Sequence, residues 1–300
     1  MTTRILAIVD PEREDQTALR RCSELPADAD IAIHIAFFLP IASAEKLAHH
    51  DYANPKKKRE LMDKMIEDYG LQNRNFTSEV VPFDRLYESI IRTARQCDAD
   101  YIFKPLRKHN LVKRSLFTST DWNLIRMCPI PILLVSQAES VVGKPVIAAL
   151  DIGSKDDSHK ELNRIVLSQA QVVARVVNSG VHAINACTFP SAAWGYSATD
   201  PAPYESARAQ LTENLAQLVE ISKEFGISKE YVAVREGTPS LVINTYSDEV
   251  KAGIAVLGTI ARSGLAGLFI GNTAESVLEN CITDILVVKH ADFQSPIKDH

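Results

Sequence analysis

Short runs of almost entirely apolar residues alternate along this chain with longer segments in which apolar residues recur every three or four positions. Runs that are apolar throughout are typical of parallel strands covered on both faces of a sheet. The pattern therefore predicts an α/β fold of the doubly wound type. The predicted strands are Ile5–Val9, Ile31–Leu39, Thr77–Pro82, Tyr101–Lys104 and Ile132–Val135 in the first half, and Val146–Leu150, Val181–Cys187, Tyr231–Val234, Ile254–Leu257 and Ile285–Val288 in the second.

Helices are predicted between these strands. The helical spacing is clearest at Leu86, Ile90, Ile91 and Ala94, which would share one face. The other predicted helices are Asp15–Glu24, Pro55–Tyr69, Asp121–Met127, His159–Asn178, Tyr204–Phe225, Ser240–Val250 and Thr273–Asn280.

The second half of the sequence repeats the first half. Residues 97–135 align without a gap on residues 250–288, at a constant offset of 153 (250 minus 97). The beginning of the chain, Arg4–Asp10, likewise matches Pro145–Asp151. Self-similarity over the length of a domain, rather than of a short repeat, predicts two copies of one fold.

The two copies are expected to form domains at residues 1–138 and 144–292. Each is predicted to be a doubly wound domain with a five-stranded parallel sheet in the strand order 3-2-1-4-5. In this architecture ligands bind outside the carboxyl ends of the strands, where the strand order switches. That edge of each sheet is therefore where a ligand site is expected.

Composition argues against several classes of function. The chain of 300 residues carries a formal net charge of -5, whereas a general nucleic-acid binder usually has a basic face. No apolar run approaches the roughly 20 residues that a membrane span needs, and the beginning of the chain lacks the pattern of a signal peptide. The 5 cysteines are scattered and predict neither a disulfide framework nor a zinc site. We therefore expect a cytoplasmic protein.

Catalytic and metal-binding arrangements are not predicted. The sequence has no Ser-His-Asp order, no paired acids in a plausible pocket motif and no activated cysteine, so a dedicated enzyme is not expected. The compact group His49–His50–Asp51 is discounted as a metal site because adjacent residues rarely aim at one ion. Ser191–Ala202 follows the second strand of the second copy, and it is either a lid over a ligand site or a surface excursion.

The loop after the fourth strand of the second copy carries the candidate binding residues. Gly258 ends a buried strand, where a residue without a side chain lets the backbone turn sharply. Gly264 and Gly267 allow close approach of a ligand or of packed backbone. Gly271–Thr273 precedes a predicted helix whose amino end favours an anion such as phosphate, and Arg262 could add a charge-assisted contact. A glycine-rich surface loop with an ordinary helix cap is the alternative, and it remains open.

These features together resemble the universal stress protein family over essentially the whole chain, as two tandem copies. They are the aspartate that ends strand one, the glycine-bearing loop, Gly-Asn-Thr-Ala-Glu at 271–275 and Asp-Ile-Leu-Val-Val-Lys at 284–289. Nucleotide-binding members of that family carry Gly-x-x-Gly, nine residues, and then Gly-Ser or Gly-Thr. The corresponding residues in the second copy are Gly258, Ala261, Gly271 and Asn272, so two of the four positions match.

The resemblance implies weak binding of ATP or of another anionic ligand by the second copy alone, with no cofactor certain. It also implies that Asp151 borders the adenine side of the pocket, although an aspartate that caps a loop is the alternative. In the first copy Pro105 replaces the turn glycine and the loop has no glycine, so backbone cradling of a triphosphate is not expected there. The predicted ligand-binding residues are Asp151, Gly258, Thr259, Arg262, Gly264, Gly271, Asn272 and Thr273.

Two functions of different classes follow from the resemblance. The leading one is a stress-response protein that acts by ligand binding and association, and that supports survival under DNA damage, starvation or oxidants. Family domains pair through their fifth strands, so Ile132–Val135 and Ile285–Val288 are expected to pair the two copies within one chain, and a homodimer also remains open. The alternative is a nucleotide-binding switch or slow ATPase that uses the second copy only.

Overall fold

The computed structural model describes most of the chain as two compact units. One unit is Met1–Ser140 together with Gln294–His300, and the other is Val141–Phe293. The fold class predicted from the sequence is confirmed, because each unit is an α/β domain built on a parallel sheet. The described residues are 2–9, 15–41, 55–106, 117–136, 139–154, 156–189, 202–259, 262–264, 267–269, 276–278 and 283–298.

In the first unit, strands and helices alternate from the amino end. The strands are β1 (Thr3–Val9), β2 (Ile31–Pro40), β3 (Asn75–Phe83), β4 (Tyr101–Pro105) and β5 (Ile132–Val135). The helices are α1 (Thr17–Ser23), α2 (Pro55–Asp68), α3 (Leu86–Gln96) and α4 (Ser119–Met127).

The second unit follows the same order with additions. Its strands are β6 (Val146–Leu150), β7 (Val181–Cys187), β8 (Val232–Glu236), β9 (Ile254–Thr259), β10 (Arg262–Gly264), β11 (Gly267–Phe269) and β12 (Asp284–Lys289). Its helices are α5 (Asp157–Val176), α6 (Ala202–Glu224) and α7 (Pro239–Glu249), with a short 3₁₀ helix at Lys229–Tyr231.

Strand pairing is the same in the two units. In the first unit the order is β3-β2-β1-β4-β5, and in the second it is β8-β7-β6-β9-β12. All neighbouring strands in these two orders pair in parallel. Ile102 pairs with Ile132, and the residues 153 positions later, Ala255 and Ile285, pair in the same way. The gap-free repeat of the sequence is therefore also a repeat of strand register.

The central strands are buried and helices cover them, whereas the outer strands β3 and β8 contain no buried residue. All four residues of β5 are buried, as are Ile5–Val9 of β1. In α3 the predicted apolar face is buried at Ile90, Ile91 and Ala94. Burial of apolar surface of this kind is the main favourable contribution to folding.

Helix α5 shows how local sequence sets an element that positions the candidate site. Asp156 caps it, since its side chain accepts a hydrogen bond from the Ser158 N–H at 3.0 Å. Leu162, Val166 and Ala170 are spaced by four residues and are all buried. The helix ends just before Asn178, which has a φ of 53°, a left-handed conformation that commonly terminates helices.

Three features differ from the sequence predictions or were not predicted. Tyr231 was predicted to begin a strand, but it ends a 3₁₀ turn and the strand begins at Val232. The short antiparallel pair β10–β11 was not predicted. The tail also joins the first unit, where the carbonyl of Ile297 accepts a hydrogen bond from Arg95 Nη1 at 2.6 Å. Within the part of the chain that the structure describes, no helix is both long and apolar enough to cross a membrane.

Candidate functional site at the carboxyl edge of the second unit

The candidate site lies where β6 and β9 end side by side. β6 pairs with β7 on one side and with β9 on the other, so the chain connections leave in opposite directions from this point. Such a switch in strand order leaves a crevice outside the carboxyl ends of the strands. Two sequence-predicted residues, Gly258 and Thr259, end β9, and a third, Asp151, follows β6 directly. The structure therefore brings these three to the same edge of the sheet.

Asp151 is held in place by two residues of α5. Its backbone N–H donates to Asn163 Oδ1 at 3.0 Å, and Asn163 Nδ2 donates back to the Asp151 carbonyl at 2.8 Å. The carboxylate accepts from His159 Nδ1 at 2.9 Å while the Asp151 side chain remains 63% exposed. Both neighbours act on one residue, so the carboxylate is fixed in position and still accessible to a ligand.

Sequence reasoning missed His159 and Asn163. They are four residues apart on α5 and therefore lie on the same helical face, which is a signal that the sequence does contain. What it lacks is any indication that this face turns toward the end of β6.

A cationic side chain stands at the other side of the crevice. Lys289, the last residue of β12, pairs in register with Thr259, and its Nζ donates to Thr259 Oγ1 at 3.3 Å. The same ammonium lies 4.4 Å from the centroid of the Phe293 ring, within the range of a cation–π contact. Thr259 itself is buried. Lys289 was used only to identify the family and was not predicted as a site residue.

Gly258 has a packing role that the sequence analysis did not predict. It lies within β9 rather than in a turn, and the space beside it is filled by Leu162 of α5. A Cβ atom at Gly258 would lie 2.6 Å from Leu162 Cγ and 2.7 Å from Leu162 Cδ2. The glycine therefore allows close packing of the helix on the strand, and its part in a ligand site stays a prediction.

The glycine-bearing segment is partly regular. Gly264 of β10 pairs with Gly267 of β11 in antiparallel register, where the sequence predicted an irregular loop. The backbone of Arg262 belongs to β10, but its side chain is outside the described part. Gly271, Asn272 and Thr273 also lie outside the described residues, so their roles stay predictions.

A network of side-chain amides, buried at Asn185 and Asn214, lies against the end of β6. Asn185 Nδ2 donates to the Leu150 carbonyl at 2.9 Å, and Asn214 Nδ2 donates to Asn185 Oδ1 at 3.2 Å. Gln210 Nε2 in turn donates to Asn214 Oδ1 at 2.7 Å. Because buried polar groups are costly unless they are paired, this series of hydrogen bonds fixes α6 against the ends of β6 and β7.

Cys187 belongs to the same network. Its thiol donates to Asn185 Oδ1 at 3.3 Å and accepts from Asn214 Nδ2 at 3.0 Å. Burial raises the pKa of the Cys187 thiol, so the thiol stays protonated at neutral pH. It therefore acts as a structural hydrogen-bonding group.

The remaining candidates fall mostly outside the described residues. Residues 191–201 of the segment Ser191–Ala202, which was interpreted as either a lid or a surface excursion, lie outside the described residues, as do the first-copy loop at 107–116 and Asp10. Among the residues that are, no three His, Cys, Asp or Glu side chains form a group that could hold a metal ion. The His49–His50–Asp51 group is outside that part of the chain.

The fold places this chain among tandem α/β proteins of the doubly wound class. The sequence model of the universal stress protein family matches residues 1–136 and 145–289, and the chain therefore belongs to that family. This confirms the resemblance found in the sequence.

Relatives extend over nearly the full length. Universal stress protein E of Escherichia coli strain K12 is 29% identical over 320 residues, covering 99% of this chain and 97% of the relative. The protein of the same description from Photorhabdus laumondii is 30% identical over 306 residues, covering 98% and 97%.

Solved structures share the fold. A functionally unknown protein from Pseudomonas aeruginosa PAO1 has a TM-score of 0.78 at 23% identity, covering 97% of this chain and 94% of that one. A universal stress protein from Archaeoglobus fulgidus has a TM-score of 0.62 at 18% identity, covering 95% and 98%. At these identities the similarity supports the fold alone.

Proposed function

We propose that this protein is a cytoplasmic stress-response protein that binds an anionic ligand at the carboxyl edge of its second unit and acts without turnover. The observation that carries the proposal is the presence of two opposite charges, on separate side chains, at the carboxyl ends of β6 and β12. Asp151 offers an accessible carboxylate on one side, and Lys289 offers an ammonium on the other. A ligand with an anionic group and a hydroxyl or amino donor, such as a nucleotide, would satisfy both.

Weak binding is expected from the sequence of the glycine-bearing loop. Asn272 stands where the family pattern has a small hydroxyl, and Ala261 replaces a glycine. Arg262 and the segment from Gly271 remain favourable for an anion. No carboxylate in this loop is placed by the sequence to orient an attacking water, and positioning is most of what phosphoryl transfer requires. A slow ATPase or nucleotide switch is therefore the second candidate.

Association is the other part of the proposed function. We propose that the two repeats, at residues 1–138 and 144–292, pair within one chain through their fifth strands. The wholly apolar composition of Ile132–Val135 and Ile285–Val288 supports this, since unpaired edges of that character tend to associate. Such a chain would form by itself the pair that single-domain relatives form from two chains, and pairing of two whole chains stays open.

Calorimetric titration with Mg-ATP tests ligand binding directly. Changing Asp151→Asn or Lys289→Met should each weaken binding about tenfold or more, because each removes a charged hydrogen-bonding partner. Ser136 occupies the position in the first unit that corresponds to Lys289 (289 minus 153), so Ser136→Ala is the matched control and should leave affinity unchanged. Equal losses in all three variants would contradict a site in the second unit.

Two further measurements separate the candidates. A dissociation constant near 1 μM, about 8 kcal/mol of binding free energy, would contradict weak ATP binding and favour the nucleotide switch. Asn272→Ser should strengthen binding if the missing hydroxyl limits affinity. Adenine absorbance released by denaturing the purified protein reports a retained nucleotide, whereas an apolar ligand in an organic extract, found by mass spectrometry, would replace the anionic-ligand proposal.

A further inference from the structure

The first unit contains a buried ion pair whose two positions are occupied by uncharged residues in the second repeat. Lys104 Nζ lies 2.6 Å from Asp121 Oδ1, the Asp121 side chain is fully buried, and that of Lys104 is 9% exposed. At the offset of 153, the corresponding residues of the second copy are Leu257 and Ala274. The pair is therefore specific to the first repeat, even though the strand register around Lys104 is repeated unchanged.

The Asp121 carboxylate sits at the amino end of α4. Its Oδ2 accepts from the Thr118 N–H and from the Thr118 hydroxyl, both at 2.7 Å, and the Asp121 N–H donates to Thr118 Oγ1 at 3.3 Å. Lys104 Nζ also donates to the Pro105 carbonyl at 3.3 Å. Free N–H groups and the helix dipole make this end of a helix favourable for negative charge.

Neither charge is tolerable alone in this position. A buried ammonium without a partner is strongly destabilising, and so is a buried carboxylate without one. Each group therefore depends on the other, and together they join the end of β4 to the beginning of α4. The corresponding helix end of the second copy, at 271–275, has no aspartate and begins Gly-Asn-Thr.

We infer that the Asp121 carboxylate serves as a built-in anion of the first repeat, with Lys104 as its counter-ion, and that it closes this helix end to phosphate groups. The first repeat is then held in place by its own side chains and needs no ligand there. This inference is independent of the ligand proposed for the second unit.

The test is chemical rescue of Asp121→Ala, which introduces the residue of the second copy. The experiment uses the full chain with Trp194→Phe, so that Trp122 is the one remaining of 2 tryptophans and reports on α4. We expect the unfolding midpoint of Asp121→Ala to fall by about 10 °C, because Lys104 is left buried and unpaired. Sodium phosphate or formate should then raise it by about 4 °C or more, relative to sodium chloride of equal ionic strength.

The control variant is Lys104→Leu with Asp121→Ala, which reproduces both residues of the second copy. It should show no specific response to phosphate or formate, and the unaltered pair should show a shift below about 1 °C. An equal response from the double variant, or none from Asp121→Ala, would overturn the inference. Because the readout is Trp122 in the first unit, a failure here is separate from a failure of ligand binding in the second.

If Asp121→Ala does not fold, a double-mutant cycle of Lys104→Met and Asp121→Asn supplies the result. Both replacements keep the size of the side chain and remove its charge. The double variant should have a higher midpoint than the two single losses predict by addition, because the two charges are then removed together. Simple additivity would show that the two groups are not coupled and would overturn the inference.

Discussion

The packing role of Gly258 gives a prediction that can be worked out from distances. The change is Gly258→Ala, which adds one Cβ atom 2.6 Å from Leu162 Cγ and 2.7 Å from Leu162 Cδ2. Carbon atoms in favourable contact are about 3.5–4.0 Å apart, so the leucine must move by roughly 1 Å. Leu162 is only 6% exposed, and its neighbours in the core limit that movement.

The expected cost follows from known repacking effects. Overpacking of this kind destabilises by about 1–3 kcal/mol, whereas Leu162→Ala alone creates a cavity that costs about 2–5 kcal/mol. In the double variant the new methyl group points into that cavity, so Gly258→Ala should cost almost nothing in that background. The coupling between the two sites should therefore be about 1–3 kcal/mol.

Guanidinium unfolding followed by circular dichroism measures these free energies, provided that the slopes agree between variants. Gly180→Ala is the matched control, because no atom lies within 4 Å of its Cβ position and no positive φ is recorded for it. The control should change stability by less than about 1 kcal/mol. If Gly258→Ala costs the same with and without Leu162→Ala, or reduces ligand affinity without any loss of stability, the packing explanation is wrong.

Two further predictions concern residues away from the candidate site. Burial lowers the pKa of His182 below 6.5, and its Nδ1 lies 2.9 Å from the Tyr246 hydroxyl. Because the unfolded chain binds the proton at a higher pH than the folded chain, the free energy of unfolding should fall as the pH drops through 6.5. Unfolding measured as a function of pH should lose this slope in His182→Asn and keep it in Tyr246→Phe. Arg92 Nε and Arg95 Nη1 donate to the carbonyls of Lys298 and Ile297, so Arg92→Ala combined with Arg95→Ala should free the tail from α3 and let trypsin cleave after Lys298 several times faster in a mass-spectrometric time course. Arg85→Ala, at an arginine that pairs with Glu88 instead, should leave the rate unchanged, and equal rates in the two variants would refute a tail held by these arginines.

The architecture could be predicted because most of the strands are short runs of almost entirely apolar residues. Val146–Leu150 and Ile132–Val135 were predicted with the observed bounds, since wholly buried strands end where polar residues begin. The β10–β11 pair was missed because three-residue strands that contain glycine show no alternation to detect. The contact between the tail and α3 was not predicted because Arg95 donates to a backbone carbonyl, a group that every residue carries.

The site was predictable in position and only partly in composition. Asp151 was identified from the family pattern, but its partners His159 and Asn163 depend on how α5 turns toward β6. The packing role of Gly258 was not predicted because the residue that it contacts, Leu162, is 96 positions earlier in the chain (258 minus 162). Contacts of this kind between distant segments are set by tertiary packing, and the local spacing of residues does not predict them.

The two repeats keep the same strand register and differ at the ends of their strands. A slip of one residue in strand pairing would move every buried side chain to the opposite face, so the register between the fourth and fifth strands is kept at the constant offset. At the carboxyl ends of these strands the residues differ between the repeats: Lys104 corresponds to Leu257, and Pro105 corresponds to Gly258. Because ligands of this fold bind at those same ends, substitutions there can change ligand binding while the strand register is kept. One repeat can then supply its own charges while the other keeps an accessible edge, with the same core beneath both.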